Sequence, residues 1–130
     1  MDSLEKQFQT VLTSVAEQIS GTIGISIIEL ESGMSLSTLS VAKGLDLEVA
    51  AAYNAEVVKQ KLKAIKALAL VDQEINDFTI SLTSQVHIIR FIDARFIMYF
   101  AVNGTAVNLA MTKIILNGAA NKLKDLVANI

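Results

Sequence analysis

The side chains best suited to chemistry are few in this sequence, and they stand apart from one another. Histidine, a frequent general base and metal ligand, occurs once, as His87, and cysteine does not occur at all. A thiolate nucleophile and a Cys-ligated metal site are therefore excluded. A zinc site normally takes three or four protein ligands, and His87 has no second imidazole with which to share one. We expect His87, which follows Val86 at the start of an apolar strand, to be structural.

Three other groups of residues bear on catalysis. Asp93 and Arg95 lie in a short turn, where an arginine could be donated as a finger to a phosphoryl-transfer site, but a solvated turn is the favoured interpretation. The glycine turns "ESG" and "NGT" match neither common phosphate-binding pattern. A hydroxyl-rich segment reads as a surface strand with no base near its serines, which are Ser32, Ser35, Ser37 and Ser40. The sequence therefore predicts a protein that is not an enzyme, with no catalytic residues, no metal and no cofactor.

Composition narrows the class of protein. A chain of 130 residues is long enough for one domain with its own core, and we expect a single domain over residues 1–130. Eleven basic and thirteen acidic residues give a net charge of −2, which argues against a nucleic-acid partner. The apolar content is 52%, but the apolar runs are far shorter than the ~20 residues of a membrane span. We expect a cytoplasmic protein with no integral membrane segment and with more apolar surface than one monomer can hide.

Hydrophobic periodicity predicts the order helix–strand–strand–helix–strand–strand–strand–helix. Apolar residues at helical spacing run from Leu4 to Ile19, with Ser3 as the cap and Gly21 as the stop. "GTIGISIIEL" and "MSLSTLSV" alternate as the two strands of a hairpin, and a long helix follows Asp46. "FTISLTSQ", "VHIIRFI" and "FIMYFAVN" predict three more strands, and the apolar side of the last helix begins at Val107.

The second predicted helix has too many apolar residues to cover a single core. Its apolar arc is roughly 200° wide, whereas one core requires a stripe of ~100°. One lobe of the arc suits a sheet: Leu47, Ala51, Ala55, Val58, Leu62 and Ile65. The other lobe is flatter and consists of Ala50, Tyr53, Val57, Ala64 and Leu68.

We interpret this second lobe as a subunit interface, against the same helix of a second copy. Alanines let another backbone come close, and tyrosine is enriched at interfaces because it combines contact area with a polar tip. A two-fold axis would make the patch self-complementary. The alternative is that loops of the same chain cover the lobe.

The element order and three stretches of sequence resemble the Roadblock/dynein light chain family, which has a profilin-like fold. The resemblance spans nearly the whole chain. It is carried by the opening helix followed by "GTIGISIIELESGMSLST", by the alanine-rich second helix, and by "FIMYFAVNGTAVNLAMTKIILNGAANKL". It implies an α+β domain of Roadblock type, in which a five-stranded antiparallel sheet carries helices on both faces.

The resemblance also implies a dimer, formed by this chain with itself or with a paralogous chain. In the family the middle strands pair edge to edge and the two second helices lie side by side. The strand that begins at Phe78 would then be the pairing edge. The predicted dimer interface combines the second lobe with that strand: Ala50, Tyr53, Val57, Ala64, Leu68, Phe78 and Ile80.

Family members serve as platforms or regulators for small Ras-like GTPases, or as subunits of motor and membrane-tethered complexes, and they share no catalytic residues. The resemblance thus implies a non-catalytic adaptor or regulator of a small Ras-like GTPase. The predicted partner-binding residues form a polar arc on the second helix: Glu56, Lys59, Gln60 and Lys63. The alternative function is a small-molecule sensor, because profilin-like sheets elsewhere cup ligands between helix and sheet. Core positions filled by Ile, Phe, Leu and Met favour the adaptor.

Overall fold

The computed structural model describes residues 3–105 and 107–130, and it confirms the predicted order of helices and strands. Within these ranges the helices are α1 (Leu4–Gln18), α2 (Leu47–Ala67) and α3 (Leu109–Val127). The strands are β1 (Thr22–Glu29), β2 (Ser35–Ser40), β3 (Phe78–Ser81), β4 (Gln85–Phe91) and β5 (Phe96–Asn103).

In the described part of the chain, the five strands form one antiparallel sheet in the order β2-β1-β5-β4-β3. Strand β5 is central and is buried on both faces from Phe96 to Val102. Its alternate residues enter two different cores. Those facing α1 and α3 are Phe96, Met98, Phe100 and Val102, and those facing α2 are Ile97, Tyr99 and Ala101. The predicted sheet with helices on both faces is confirmed.

The helices fill these cores with the apolar stripes seen in the sequence. On one face α1 buries Phe8, Leu12 and Val15 against α3 and the sheet. On the other face α2 buries Leu47, Ala51, Ala55 and Val58, which belong to the lobe assigned to the sheet. The remainder of that lobe lies nearer the end of the helix, where Ile65 is half-buried and Leu62 is 39% exposed.

Small residues let α2 sit close to the first hairpin. A Cβ on Gly24 of β1 would lie 3.0 Å from Leu47 Cδ2, and one on Gly33 would lie 3.4 Å from the Cα of Ala52. Gly33 also has φ +73°, a conformation that favours glycine in the turn between β1 and β2. These two positions hold α2 at a short distance above β1 and the hairpin turn.

Two predicted boundaries were wrong. The third strand ends at Ser81 and not at Gln85, because the backbone N–H of Leu82 donates to the carbonyl of Gln85 at 2.8 Å and closes a tight turn into β4. The last helix begins at Leu109 and not at Val107. The side chain of Asn108 caps it, accepting from the N–H of Met111 at 3.0 Å.

Local capping positions the start of α2, as the sequence predicted. Asp46 Oδ1 accepts from the backbone N–H groups of Glu48 and Val49, both at 3.1 Å. We expect Asp46→Ala to lower the free energy of unfolding by about 1 kcal/mol, because two N–H groups of the first turn lose their acceptor. Urea denaturation monitored by circular dichroism measures this change.

Asp72→Ala is the matched control, because Asp72 is exposed and its side chain forms no hydrogen bond or ion pair in the described structure. It removes the same charge and should leave the free energy of unfolding nearly unchanged. Equal destabilisation by both substitutions would show that net charge, and not capping, is responsible.

Candidate functional site

The arginine considered as a catalytic finger is bound to its own chain. The Arg95 guanidinium donates to the backbone carbonyls of Val127, at 2.9 Å, and of Ile130, and it pairs with Asp93 Oδ2 at 3.1 Å. It therefore ties the β4–β5 turn to the end of α3. Ala94 and Arg95 are exposed, so the turn is solvated as expected, but the guanidinium also holds two elements together.

The hydroxyl-rich strand is more enclosed than expected around Ser37. Ser37 is buried, and its Oγ accepts from Gln9 Nε2 at 2.7 Å and donates to Glu5 Oε1 at 3.0 Å. Gln9 Nε2 also donates to the carbonyl of Thr38 at 2.8 Å. The prediction of a surface strand was wrong for Ser37, because α1 crosses β2 at this point. The contacts join helix to strand and place no base beside the hydroxyl.

Residues 3–105 and 107–130 contain no cluster of three His, Asp or Glu side chains that could hold a metal ion. In the same ranges, none of the helices combines the length and the apolar character needed to cross a membrane.

An open apolar groove lies between the outer side of α2 and strand β3. Its volume is about 500 Å³, and its lining consists of Tyr53, Glu56, Val57, Gln60, Lys61, Ala64 and Phe78. Among the apolar residues that line the groove, Tyr53 is the most exposed, with 73% of its surface in contact with solvent, and Val57 is 46% exposed. Phe78 is half-buried because it packs against the core beneath α2. The groove is thus an apolar surface bordered by polar side chains of α2, which are Glu56, Gln60 and Lys61.

Four of the seven residues of the predicted interface line this groove: Tyr53, Val57, Ala64 and Phe78. The other three lie around it. Ala50 is half-buried against the core on the α2 side of the sheet, and Leu68, which caps the end of α2, is 65% exposed. Ile80 pairs with His87 of β4, lies on the same face of the sheet as Phe78, and is 38% exposed. The sequence missed Lys61, whose position between the two lobes gave no sign that it would line the groove.

The structure divides the predicted partner-binding residues between two sides of α2. Glu56 and Gln60 line the groove beside the apolar lobe. Lys59 pairs with Glu56 Oε1 at 3.0 Å and donates to the carbonyl of Glu31 at 3.2 Å, which draws its side chain towards the β1–β2 turn. Lys63 is exposed on the same side as Lys59.

Beside β3, on the face of the sheet that carries α2, a polar cluster joins β4 to β5. His87 Nδ1 and the Tyr99 hydroxyl are 3.0 Å apart, and His87 Nε2 is 2.8 Å from Gln85 Oε1. The rings of His87 and Tyr99 meet edge to face, with centroids 5.4 Å apart. Burial lowers the pKa of His87 from its ordinary value of 6.5 and raises the pKa of Tyr99 to about 12. The expectation that His87 is structural agrees with these bonds, but no sequence pattern indicated Tyr99 as its partner.

No protein-family model and no curated protein matches this sequence. Solved structures are similar to it in fold. Myxococcus xanthus MglB aligns with a TM-score of 0.84 at 10% sequence identity, over 97% of this chain and 91% of that chain. A Roadblock/LC7 domain from Streptomyces avermitilis aligns with a TM-score of 0.78 at 8% identity, over 89% of this chain and 93% of that chain.

The wider profilin-like class is also represented. Profilin IA from Acanthamoeba castellanii aligns with a TM-score of 0.55 at 12% identity, over 95% of this chain and 98% of that chain. The chain therefore has a Roadblock-type, profilin-like fold, as the sequence predicted.

Burial of Tyr99 has a measurable consequence at alkaline pH. We expect its phenol to ionise at about pH 12 and not at 10.0, because the site desolvates the phenolate. The sequence contains two tyrosines, so the phenolate absorbance of Tyr53→Phe reports Tyr99 alone. The unfolded chain loses this proton first. The stability that depends on it is therefore complete below pH 10 and is lost as the pH rises towards 12. Half-ionisation near pH 10 with native circular dichroism would contradict the burial of this phenol.

Proposed function

We propose that this chain is a non-catalytic, dimeric adaptor or regulator of a small Ras-like GTPase, acting in the cytoplasm as a single domain over residues 1–130. The observation that carries the proposal is the groove lined by Tyr53, Val57, Ala64 and Phe78, which extends from the exposed lobe of α2 to the edge strand β3. An apolar surface that runs from a helix onto an unpaired strand edge is a typical contact surface for another subunit.

Strand β3 is better suited to pairing than β2, which lies at the opposite edge of the sheet. Strand β2 is held to α1 by the bonds from Gln9 to Ser37 and Thr38. Strand β3 presents Phe78 and Ile80 towards the groove, and both retain solvent exposure. Antiparallel pairing of two β3 strands about a two-fold axis would join the two sheets and bring the α2 helices side by side. The second chain is another copy of this one or a paralogue.

Three contacts support a role without catalysis. Arg95 is bound to backbone carbonyls at the end of α3, Ser37 to α1, and His87 to Gln85 and Tyr99. In each case the side chain that could take part in catalysis instead joins two elements of the fold. A regulator of this design would act through the surface that it presents to its partner.

The class of partner follows from the resemblance to the Roadblock/dynein light chain family, whose members serve small Ras-like GTPases, and from the surface of α2. Glu56 and Gln60 border the groove, and Lys63 is exposed on the other side of the helix. Two α2 helices side by side would double these groups into one platform resting on a shared sheet. Charges at the rim of such a platform adjust the rate and specificity of association more than the affinity.

We expect the purified protein to be a dimer at micromolar concentration and Val57→Glu to be a folded monomer. The introduced carboxylate would lose its hydration in the interface and lie close to its equivalent across the two-fold axis. A cost of about 3 kcal/mol or more weakens the dimer at least about a hundredfold. Sedimentation velocity measures the mass of both proteins.

Ile114→Glu is the matched control for this substitution. Ile114 is 68% exposed and lies on α3, on the opposite face of the sheet from α2. The same change of an exposed apolar residue should leave the dimer intact. A wild type that is monomeric at these concentrations would overturn the assignment of the groove. Native mass spectrometry of the same sample tests the alternative function, because a sensor would retain a small molecule.

Affinity capture from the source organism tests the partner. We expect the wild type to retain a small Ras-like GTPase, and we expect Lys59→Glu combined with Lys63→Glu to weaken binding by on the order of tenfold while leaving the dimer unchanged. The binding that remains should depend less on salt, because two positive charges have been lost. Lys122→Glu combined with Lys124→Glu makes the same change of charge on α3 and should capture the GTPase as well as the wild type does. Equal recovery by all three proteins would move the binding surface away from α2.

A further inference from the structure

The hydrogen-bonding groups of Gln85, His87 and Tyr99 all have partners in only one protonation state of the imidazole. Gln85 Oε1 can only accept, so the hydrogen of the neutral imidazole lies on His87 Nε2, 2.8 Å away. His87 Nδ1 is then bare and accepts from the Tyr99 hydroxyl at 3.0 Å. Each donor has one acceptor, and the chain of bonds ends at the amide of Gln85.

Protonation of His87 breaks this arrangement. The new hydrogen on Nδ1 points at the Tyr99 oxygen, so the phenol must turn its own hydrogen away. Tyr99 is 1% exposed, and in the described structure its hydroxyl bonds to no group besides His87. A buried donor without an acceptor is destabilising, and the cationic ring must also lose part of its hydration. Burial already lowers the pKa of this imidazole below 6.5 in the single chain.

The cluster lies next to the surface assigned to the second subunit. Ile80 of the edge strand pairs directly with His87 and is still 38% exposed. Titratable groups of α2 border the same surface, since Tyr53, Glu56 and Lys61 line the groove. Glu56 pairs with Lys59, and the side chains bonded to the imidazole, Gln85 and Tyr99, are uncharged. Within residues 3–105 and 107–130, the imidazole is therefore bonded to no carboxylate that would stabilise its cationic form.

We propose that the Gln85–His87–Tyr99 cluster makes the dimer sensitive to acid, so that the dimer forms with His87 neutral and dissociates when His87 is protonated. The inference rests on the dimer proposed above. A second copy placed on β3 and α2 covers Ile80 and the groove, and it removes solvent that the single chain leaves around the imidazole. The monomer accepts the proton more easily than the dimer does.

Linkage determines the direction and the size of the effect. The state that binds more protons gains as the pH falls, so dimer stability is complete where His87 is neutral in both states, and it declines as the pH falls through the lowered pKa of His87 in the monomer. Each histidine contributes up to tenfold per pH unit, and a dimer contains two of them. We expect the dissociation constant to rise by at least about tenfold between about pH 8 and a pH about one unit below the midpoint at which His87 of the monomer titrates.

Sedimentation equilibrium of the full chain at these two pH values measures this change. His87→Gln retains a neutral side chain with a donor and an acceptor, and its dissociation constant should be the same at both. His87 is the single histidine of the sequence, so its ring resonances in a proton NMR spectrum report protonation directly. They should titrate together with dissociation, and their midpoint should fall as the protein concentration rises.

The possible outcomes separate this inference from the proposed function. A wild type that is monomeric at pH 8 removes the dimer, and with it both proposals. A dimer whose dissociation constant is the same at both pH values overturns only the acid sensitivity, as does an equal loss of affinity in wild type and His87→Gln. Circular dichroism at the lower pH provides the folding control. If acid unfolds the wild type while His87→Gln stays folded, the histidine acts on the fold and not on the interface, and the proposal is overturned.

Discussion

The close approach of α2 to the first hairpin is the packing constraint on which the rest of the structure depends. Gly24 and Gly33 leave room for Leu47 and Ala52, and the small side chains of the buried Ala51 and Ala55 let the helix lie close to the sheet. With one side of the helix held so near the sheet, its rotation about its own axis is fixed. That rotation directs the second lobe sideways towards β3, and it leaves Tyr53 and Val57 in solvent beside a strand edge. A larger residue at either glycine would lift the helix and change the shape of the groove.

Features encoded over a few residues were predictable from the sequence, and features that depend on strand register or on distant packing were not. Helical stripes, strand alternation and the cap at Asp46 each involve neighbours in sequence, so the element order and both lobes of α2 could be derived. The bonds of Ser37 depend on α1 crossing β2, and those of Arg95 depend on where α3 ends. The pairing of His87 with Tyr99 requires the β4–β5 register, in which Tyr99 lies opposite Ile89 and reaches His87 diagonally. No local pattern carries that information.

The orientation of α2 about its own axis also determines where its charged side chains lie. Lys59 lies on the side away from β3, where the carbonyl of Glu31 accepts from it, while Glu56 and Gln60 lie above the groove. A second subunit on β3 would therefore meet the apolar lobe with Glu56 and Gln60 at its boundary. A partner resting on two such helices would meet these residues near the two-fold axis and the lysines farther out. The polar arc that was predicted as one surface would thus have two parts. Glu56 and Gln60 would contact both the second subunit and the partner, whereas Lys59 and Lys63 would contact the partner alone.

The low sequence identity to solved Roadblock-type structures is consistent with what this fold demands of its residues. The sheet requires apolar side chains on both faces of β5, and α2 requires small residues where it approaches the hairpin, but many combinations meet these conditions. The fold therefore constrains volume and polarity in the core and leaves the outward side chains of α2 and β3 largely unconstrained. Those outward residues are the ones that a second subunit or a partner would contact. Tyr53, Val57, Lys63 and Ile80 are exposed positions of this kind, and substitutions there would change the proposed contacts while keeping the same architecture.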